Sequence, residues 1–225
     1  MQSVSGIPTC DLADAMTRLG MGTRFVLNAS PVSPRVSSSL HSSVYLIGTA
    51  HTARFAVPSS PDPVSPINAV DSLKPGQVLV IAGAVGAPNA YFGGLLCARA
   101  VAIGAAGAVV DGRVRDLNEV CEHESVFPVM STSPVGSVLG APTFAKCVQV
   151  GGSVTLCSET AYPITINEGD IIVGDVDGVV CIPADRAEEV AALAKKIQLQ
   201  DAAAKVDIVE NGFTLVDAFK KHRTV

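Results

Sequence analysis

"AGAVVDGRVRDLNEV", residues 106 to 120, is the stretch that decides the fold. Its first five residues are small or β-branched and apolar without a break, the pattern of a strand covered on both faces. Within nine positions the chain then places Asp111, Arg113, Arg115, Asp116 and Glu119. Just upstream, "LKPGQVLVIAG" (73–83) turns at Pro75-Gly76 into another buried strand over 78–82. Between the two, "APNAYFGGLLCARA" (87–100) predicts a loop and then a helix from about Gly94. Strand, helix and strand make a βαβ unit, so the charges of 111–119 fall just past the C-terminal end of a parallel strand. That is where α/β sheets place their ligands.

Working outward, "TCDLADAMTRLG" (9–20) reads as a short helix with Thr9 as cap, Leu12, Ala15, Met16 and Leu19 on one face, and Gly20 as its end. "VYLIGTAHTARFAV" (44–57) reads as one long strand or two broken at Gly48. "SVFPVMS" (125–131) is a short strand, and "YPITINEGDIIVGDVDGVVCIP" (162–183) holds three more, separated by turns. "ADRAEEVAALAKKIQLQDAAAKV" (184–206) predicts a long helix with Val190, Leu193, Ala194 and Ile197 in a stripe, and C-terminal helices are expected from about 185. Residues 29–43, "ASPVSPRVSSSLHSS", read as a Ser/Pro-rich loop. No repeat and no boundary divides the chain. The expectation is an α/β fold, a single layered β/β/α domain over 1–225.

The 225 residues are 48% hydrophobic and only 16% charged, so much apolar surface has to be covered, and burial between subunits would help. A net charge of -5 and the lack of a Lys/Arg run argue against a nucleic-acid partner. The most apolar stretch, "LLCARAVAIGAAGAVV", carries Arg99 and falls short of a membrane span. The six cysteines form no CxxC pair, and the first residues lack a basic segment before an apolar core. The expectation is a cytoplasmic protein with reduced cysteines and no membrane partner.

Two constellations carry chemistry, each beside a structural alternative. Gly93 and Gly94 open a helix, where free amides receive an anion and glycine admits it close to the backbone; tight helix packing would ask for the same residues. Asp116 and Glu119, three apart, share a face in a helical turn and could hold a hard cation directly or through water. Arg115 beside them could neutralise an oxyanion, and the competing reading is a surface salt-bridge cluster. The four histidines form no zinc pattern, no GxSxG elbow is present, and Gly83 and Gly86 lack the acidic residue of a dinucleotide fingerprint. Lys146, flanked by apolar residues, is a thin case for a Schiff base.

Gly94, twenty intervening residues, Arg115-Asp116, two more and Glu119 match the G-x20-R-D-x2-E/D signature of a known family. The chain resembles the aldolases that cleave 4-hydroxy-4-methyl-2-oxoglutarate and 4-carboxy-4-hydroxy-2-oxoadipate, grouped with the regulator of ribonuclease activity A as RraA-like proteins. "TCDLADAM", "GTAHT" (48–52), "PGQVLV" (75–80) and "GDIIVGDVDGVVCIP" (169–183) extend the resemblance along most of the chain. It implies a swivelling-type β/β/α domain in a homotrimer or homohexamer with sites between subunits, and a Mg2+ or Mn2+ cofactor acting on a small 2-oxo acid. By the same resemblance Asp116 and Glu119 hold the metal, Gly93, Gly94, Leu95, Leu96 and Arg115 bind substrate, and Asp201 is the acid brought by a partner subunit. The implied activity is pyruvate release from 4-hydroxy-2-oxo acids, with oxaloacetate decarboxylation. The alternative is a non-catalytic module of the regulator type. That branch loses the acidic partner of its Arg-Asp pair, which this chain keeps.

Overall fold

A computed structural model describes residues 1–22, 24–34, 45–133 and 136–223. In chain order the elements are α1 (Thr9–Arg18), β1 (Ser30–Ser33), β2 (Leu46–Ala56), β3 (Gln77–Ala82), β4 (Ala90–Phe92), α2 (Gly94–Ile103), β5 (Gly107–Asp111), β6 (Arg113–Val114) and α3 (Leu117–Cys121). There follow β7 (Val129–Ser131), β8 (Lys146–Val150), β9 (Ser153–Leu156), β10 (Ile164–Asn167), β11 (Ile171–Asp175), β12 (Gly178–Ile182), α4 (Ala187–Glu210) and α5 (Leu215–His222). The main sheet runs β1-β7-β5-β3-β2-β11-β12, with β8 also on β2. β2 is long enough for two neighbours along one edge: Leu46–Thr49 pair with β11 and Ala53–Ala56 with β8. The central β2, β3, β5 and β7 are parallel, and the flanking strands are antiparallel.

Side-chain alternation divides the interior into layers. On one face Val78, Val80 and Ala82 of β3 pack with Val154, Leu156, Ile164 and Ile166 of the β9–β10 hairpin. On the other, Leu79 and Ile81 pack against Cys97 and Ala100 of α2. Farther along that face Ile171, Val173, Val180 and Ile182 meet Leu12 and Met16 of α1 and Val190 and Ile197 of α4. Hairpin, sheet and helices give the β/β/α layering. Each such Leu or Ile, buried in full, contributes about 1.5–3 kcal/mol.

One open reading is resolved and two local expectations change. β2 is unbroken at Gly48; a Cβ there would lie 2.5 Å from the Gly76 carbonyl oxygen and 2.8 Å from Val78, so glycine serves close packing. Residues 30–33 are not loop but the edge strand β1 paired with β7, where Pro31, lacking a donor, is tolerated; residues 35–43 of that stretch lie outside the described residues. Thr9 does not cap α1 from outside but begins it. The orphan amide of Thr9 is taken by Asp175 Oδ2 at 2.8 Å, while its hydroxyl donates to Oδ1 at 2.7 Å. Among the described residues no helix is long and apolar enough to cross a membrane.

Candidate functional site

Two very short parallel strands build the site. β4 lies beside β6, and the Arg115 amide donates to the Phe92 carbonyl at 3.0 Å. Since both strands run the same way, the residues that follow them, Gly93-Gly94 and Arg115-Asp116, emerge side by side. Gly93 caps α2 and Gly94 is its first helical residue. No side chain of α2's own cap satisfies the helix end; instead the Gly94 amide donates to Asp116 Oδ2 at 3.2 Å. The amides of Leu95 and Leu96 belong to the same first turn, which has no acceptor within the helix.

Both glycines admit a close approach. A Cβ on Gly93 would lie 2.8 Å from Asp116 Oδ2 and 2.9 Å from Arg115 Cγ. A Cβ on Gly94 would overlap Glu119 Oε2. The two carboxylates thus converge on the start of α2, although not as two positions of one helical turn. Asp116 precedes α3 with φ 53° and ψ 42°, in the left-handed region, and only Glu119 lies within the helix. Holding a non-glycine residue there costs on the order of 1 kcal/mol, and such strain gathers at functional sites. Arg115 Nε stands 3.3 Å from Asp116 Oδ2, and all three side chains are solvent-accessible.

These groups sit on a cavity of about 730 Å³. Gly93, Leu95, Leu96, Arg115 and Asp116 line it; Glu119 stands behind, against Gly94. The wall includes residues with no sequence motif, among them Phe55, Ile67, Tyr91, Pro142 and Cys147. Burial pushes the Cys147 thiol and the Tyr91 phenol up from their ordinary values, so both stay neutral at pH 7. Sequence reasoning passes over this wall because its parts come from distant segments joined by the β2–β8 pairing.

Among the described residues no group of three or more His, Cys, Asp and Glu could enclose a metal. Two accessible carboxylates, one directed at an open cavity, instead fit a hard cation that keeps several waters. The other singled-out residues lie elsewhere. Asp201, on α4, is bound by Arg223 through bonds of 2.7 and 2.8 Å and does not line the cavity. The Lys146 ammonium donates to the Ser60 carbonyl at 2.8 Å. Arg113 reaches the Gly136 carbonyl at 3.4 Å. Asp111 is structural, accepting from the Cys157 amide at 2.7 Å and the Thr132 hydroxyl at 2.9 Å. His51, buried on β2, joins Glu168 at 2.8 Å and Ser72 at 2.9 Å, away from the cavity.

The fold resembles an uncharacterized Pseudomonas syringae protein, with TM-score 0.77 at 22% identity over 98% of this chain and 92% of that one. It also resembles Streptomyces coelicolor RraAS2, described as an unusual member of the RNase ES inhibitor RraA protein family, with TM-score 0.66 at 21% identity over 91% and 94%. In sequence it is 31% identical to the Halalkalibacterium halodurans protein named "Putative 4-hydroxy-4-methyl-2-oxoglutarate aldolase", over 91% of this chain and 86% of that one. Residues 9–181 match the family described as "RraA-like: Aldolase/RraA", so the chain belongs to that family.

Proposed function

We propose that the protein is a divalent-metal-dependent aldolase that releases pyruvate from 4-hydroxy-2-oxo acids and decarboxylates oxaloacetate. The observation that carries this is the convergence of Arg115, Asp116 and Glu119 on the glycine-opened start of α2, at the wall of a cavity. Mg2+ or Mn2+, held by Asp116 and through water by Glu119, would act as a Lewis acid on the substrate's 2-oxo group.

The chain's own residues do the rest. The amides of Leu95 and Leu96 receive the substrate carboxylate, while the Gly94 amide orients Asp116. Arg115 faces the cavity and neutralises the negative charge that develops on the 2-oxo oxygen as the bond to C4 breaks. Decarboxylation of oxaloacetate develops charge at the same oxygen, so one site serves both reactions. The proton leaving the C4 hydroxyl goes to a carboxylate of a second copy, for which we take Asp201, and the enolate left behind takes a proton at C3 from solvent to give pyruvate. A homotrimer or homohexamer with sites between subunits is supported by the exposed Leu199, Val206, Val209, Leu215 and Val216 on α4 and α5.

The deciding experiment measures pyruvate release from oxaloacetate and from 4-hydroxy-4-methyl-2-oxoglutarate, with Mn2+ and after chelation. Metal-dependent turnover of oxaloacetate is expected. No turnover of either substrate would turn the reading to a non-catalytic protein-binding module.

A further inference from the structure

The cavity of about 730 Å³ is far larger than a three-carbon pyruvyl unit, and the rest of its wall indicates what lies beyond C3. We propose that the enzyme prefers 4-hydroxy-2-oxo acids whose C4 substituent is uncharged and apolar over those carrying a second carboxylate there. This rests on the aldolase reading above.

The wall is assembled by backbone pairing. Phe55 of β2 lies opposite Cys147 of β8. The Ser65 amide donates to the Cys147 carbonyl at 2.9 Å, which draws the 65–70 segment alongside and brings Ile67 to the cavity. Tyr91 packs edge-on against Phe55 with ring centroids 5.2 Å apart, and its hydroxyl is occupied by the Ala84 carbonyl at 2.9 Å. Tyr91 therefore offers its ring rather than a polar tip. Leu96 and Pro142 add further apolar surface.

The charges nearby are already committed. Among the described residues lining the cavity, Arg115 and Asp116 are the charged ones, and both serve the pyruvyl end. Arg54, next to Phe55, is turned to Asp62 at 3.1 Å, and Lys146, next to Cys147, to the Ser60 carbonyl at 2.8 Å. A second substrate carboxylate would give up hydration along this wall without gaining a cation from this chain, whereas an alkyl or aryl group gains from burial.

The test compares kcat/KM for 4-hydroxy-2-oxohexanoate with that for 4-hydroxy-4-methyl-2-oxoglutarate, with oxaloacetate decarboxylation as the control for metal-dependent turnover that needs no C4 hydroxyl. The apolar substrate is expected to lead by about tenfold or more, the scale on which an apolar pocket discriminates. Ile67→Arg, at a half-exposed loop position, should shrink or invert that ratio. Alongside, calorimetry with Mn2+ compares wild-type binding of 2-oxopentanoate with that of 2-oxoglutarate, the same carbon chain with a second carboxylate. Turnover of oxaloacetate together with preference for the diacid would overturn this inference and leave the aldolase reading standing. No turnover of any compound would overturn the aldolase reading. The calorimetric pair then decides the wall's chemistry by itself: tighter 2-oxoglutarate refutes it, tighter 2-oxopentanoate supports it.

Discussion

A single methyl group added at Gly94 tests whether the position of Glu119 matters. In Gly94→Ala the new Cβ would overlap Glu119 Oε2 and lie 2.9 Å from its Cδ and 3.0 Å from its Cβ. The backbone itself accepts alanine, because Gly94 is helical and has no left-handed φ. Alanine is favoured over glycine in a helix by up to about 1 kcal/mol, and swinging an exposed Glu side chain aside costs about the same. The two effects offset, so the melting temperature should stay within about 4 °C of wild type. Displacing an outer ligand-orienting group typically costs 10–100-fold in metal affinity or activity, so Mn2+ binding and oxaloacetate turnover should fall by that factor, about 1.4–2.7 kcal/mol. Calorimetric Mn2+ titration, a thermal melt and steady-state kinetics measure the three quantities. Glu119→Ala provides the control: in its background Gly94→Ala should cost little more, giving a coupling term about equal to the single-variant loss. Wild-type Mn2+ affinity and turnover in Gly94→Ala would refute the reasoning. A large drop in melting temperature would show instead that α3 as a whole cannot yield.

Other perturbations separate the roles. Arg115→Ala should lower kcat by roughly 10²–10³-fold, as loss of one oxyanion-stabilising donor does, with Arg115→Lys recovering part of it; Arg113→Ala, which gives up one long bond to Gly136, should change stability by no more than about 0.5 kcal/mol. Asp116→Asn should lose metal binding more severely than Glu119→Gln, and chelation should abolish activity that Mg2+ or Mn2+ restores, while covalent trapping of pyruvate by borohydride would contradict the scheme. Sedimentation should show a multiple of three copies, and unchanged turnover in Asp201→Asn would remove that residue from the reaction. Asp207 is held well below the usual carboxylate range first by Lys221, then by His222 and Asn211. Its contribution to docking α5 is complete above the unfolded value near pH 4 and fades only as pH falls toward the depressed one. Protease protection of 215–222 should therefore persist at pH 4, and Asp207→Asn should lose it at neutral pH.

The legible parts of this fold are those whose sequence repeats its signal over several residues. β3 and β5 announce themselves as apolar runs, and α2 lies between them because a parallel crossover needs it. β4 and β6 carry no such signal, having three and two residues. They exist because the Arg115 amide reaches the Phe92 carbonyl, a contact between segments that no local pattern couples. The same limit hides the apolar cavity wall, which depends on Phe55 finding Cys147 across the sheet. Charge alone was also ambiguous. Asp111 and Asp116 look alike in "VVDGRVRDL", yet one anchors the hairpin through the Cys157 amide and the other faces the cavity. Asp116 further departs from the helical spacing that pairs it with Glu119, since a left-handed residue turns the chain before α3 begins.

The spacing from Gly94 to Arg115 has a physical origin in this architecture. α2 leaves the site and descends ten residues, roughly 15 Å at the helical rise. Gly104, left-handed at φ 82°, ends the helix and reverses the chain. β5 then climbs back through five residues, roughly 16 Å at the strand rise, so the chain returns to the level from which it started. Gly112 and the two residues of β6 complete the interval and deliver Arg115 beside Phe92. The interval is thus one helix down and one strand up, matched in length. A residue inserted in α2 would rotate Gly94 by about 100° relative to the helix's buried face. The amide that holds Asp116 and the glycine that admits Glu119 would then point away from the cavity, while the sheet and its core could remain intact. The motif's fixed length is therefore a condition on the site, set by the geometry of the crossover that carries it.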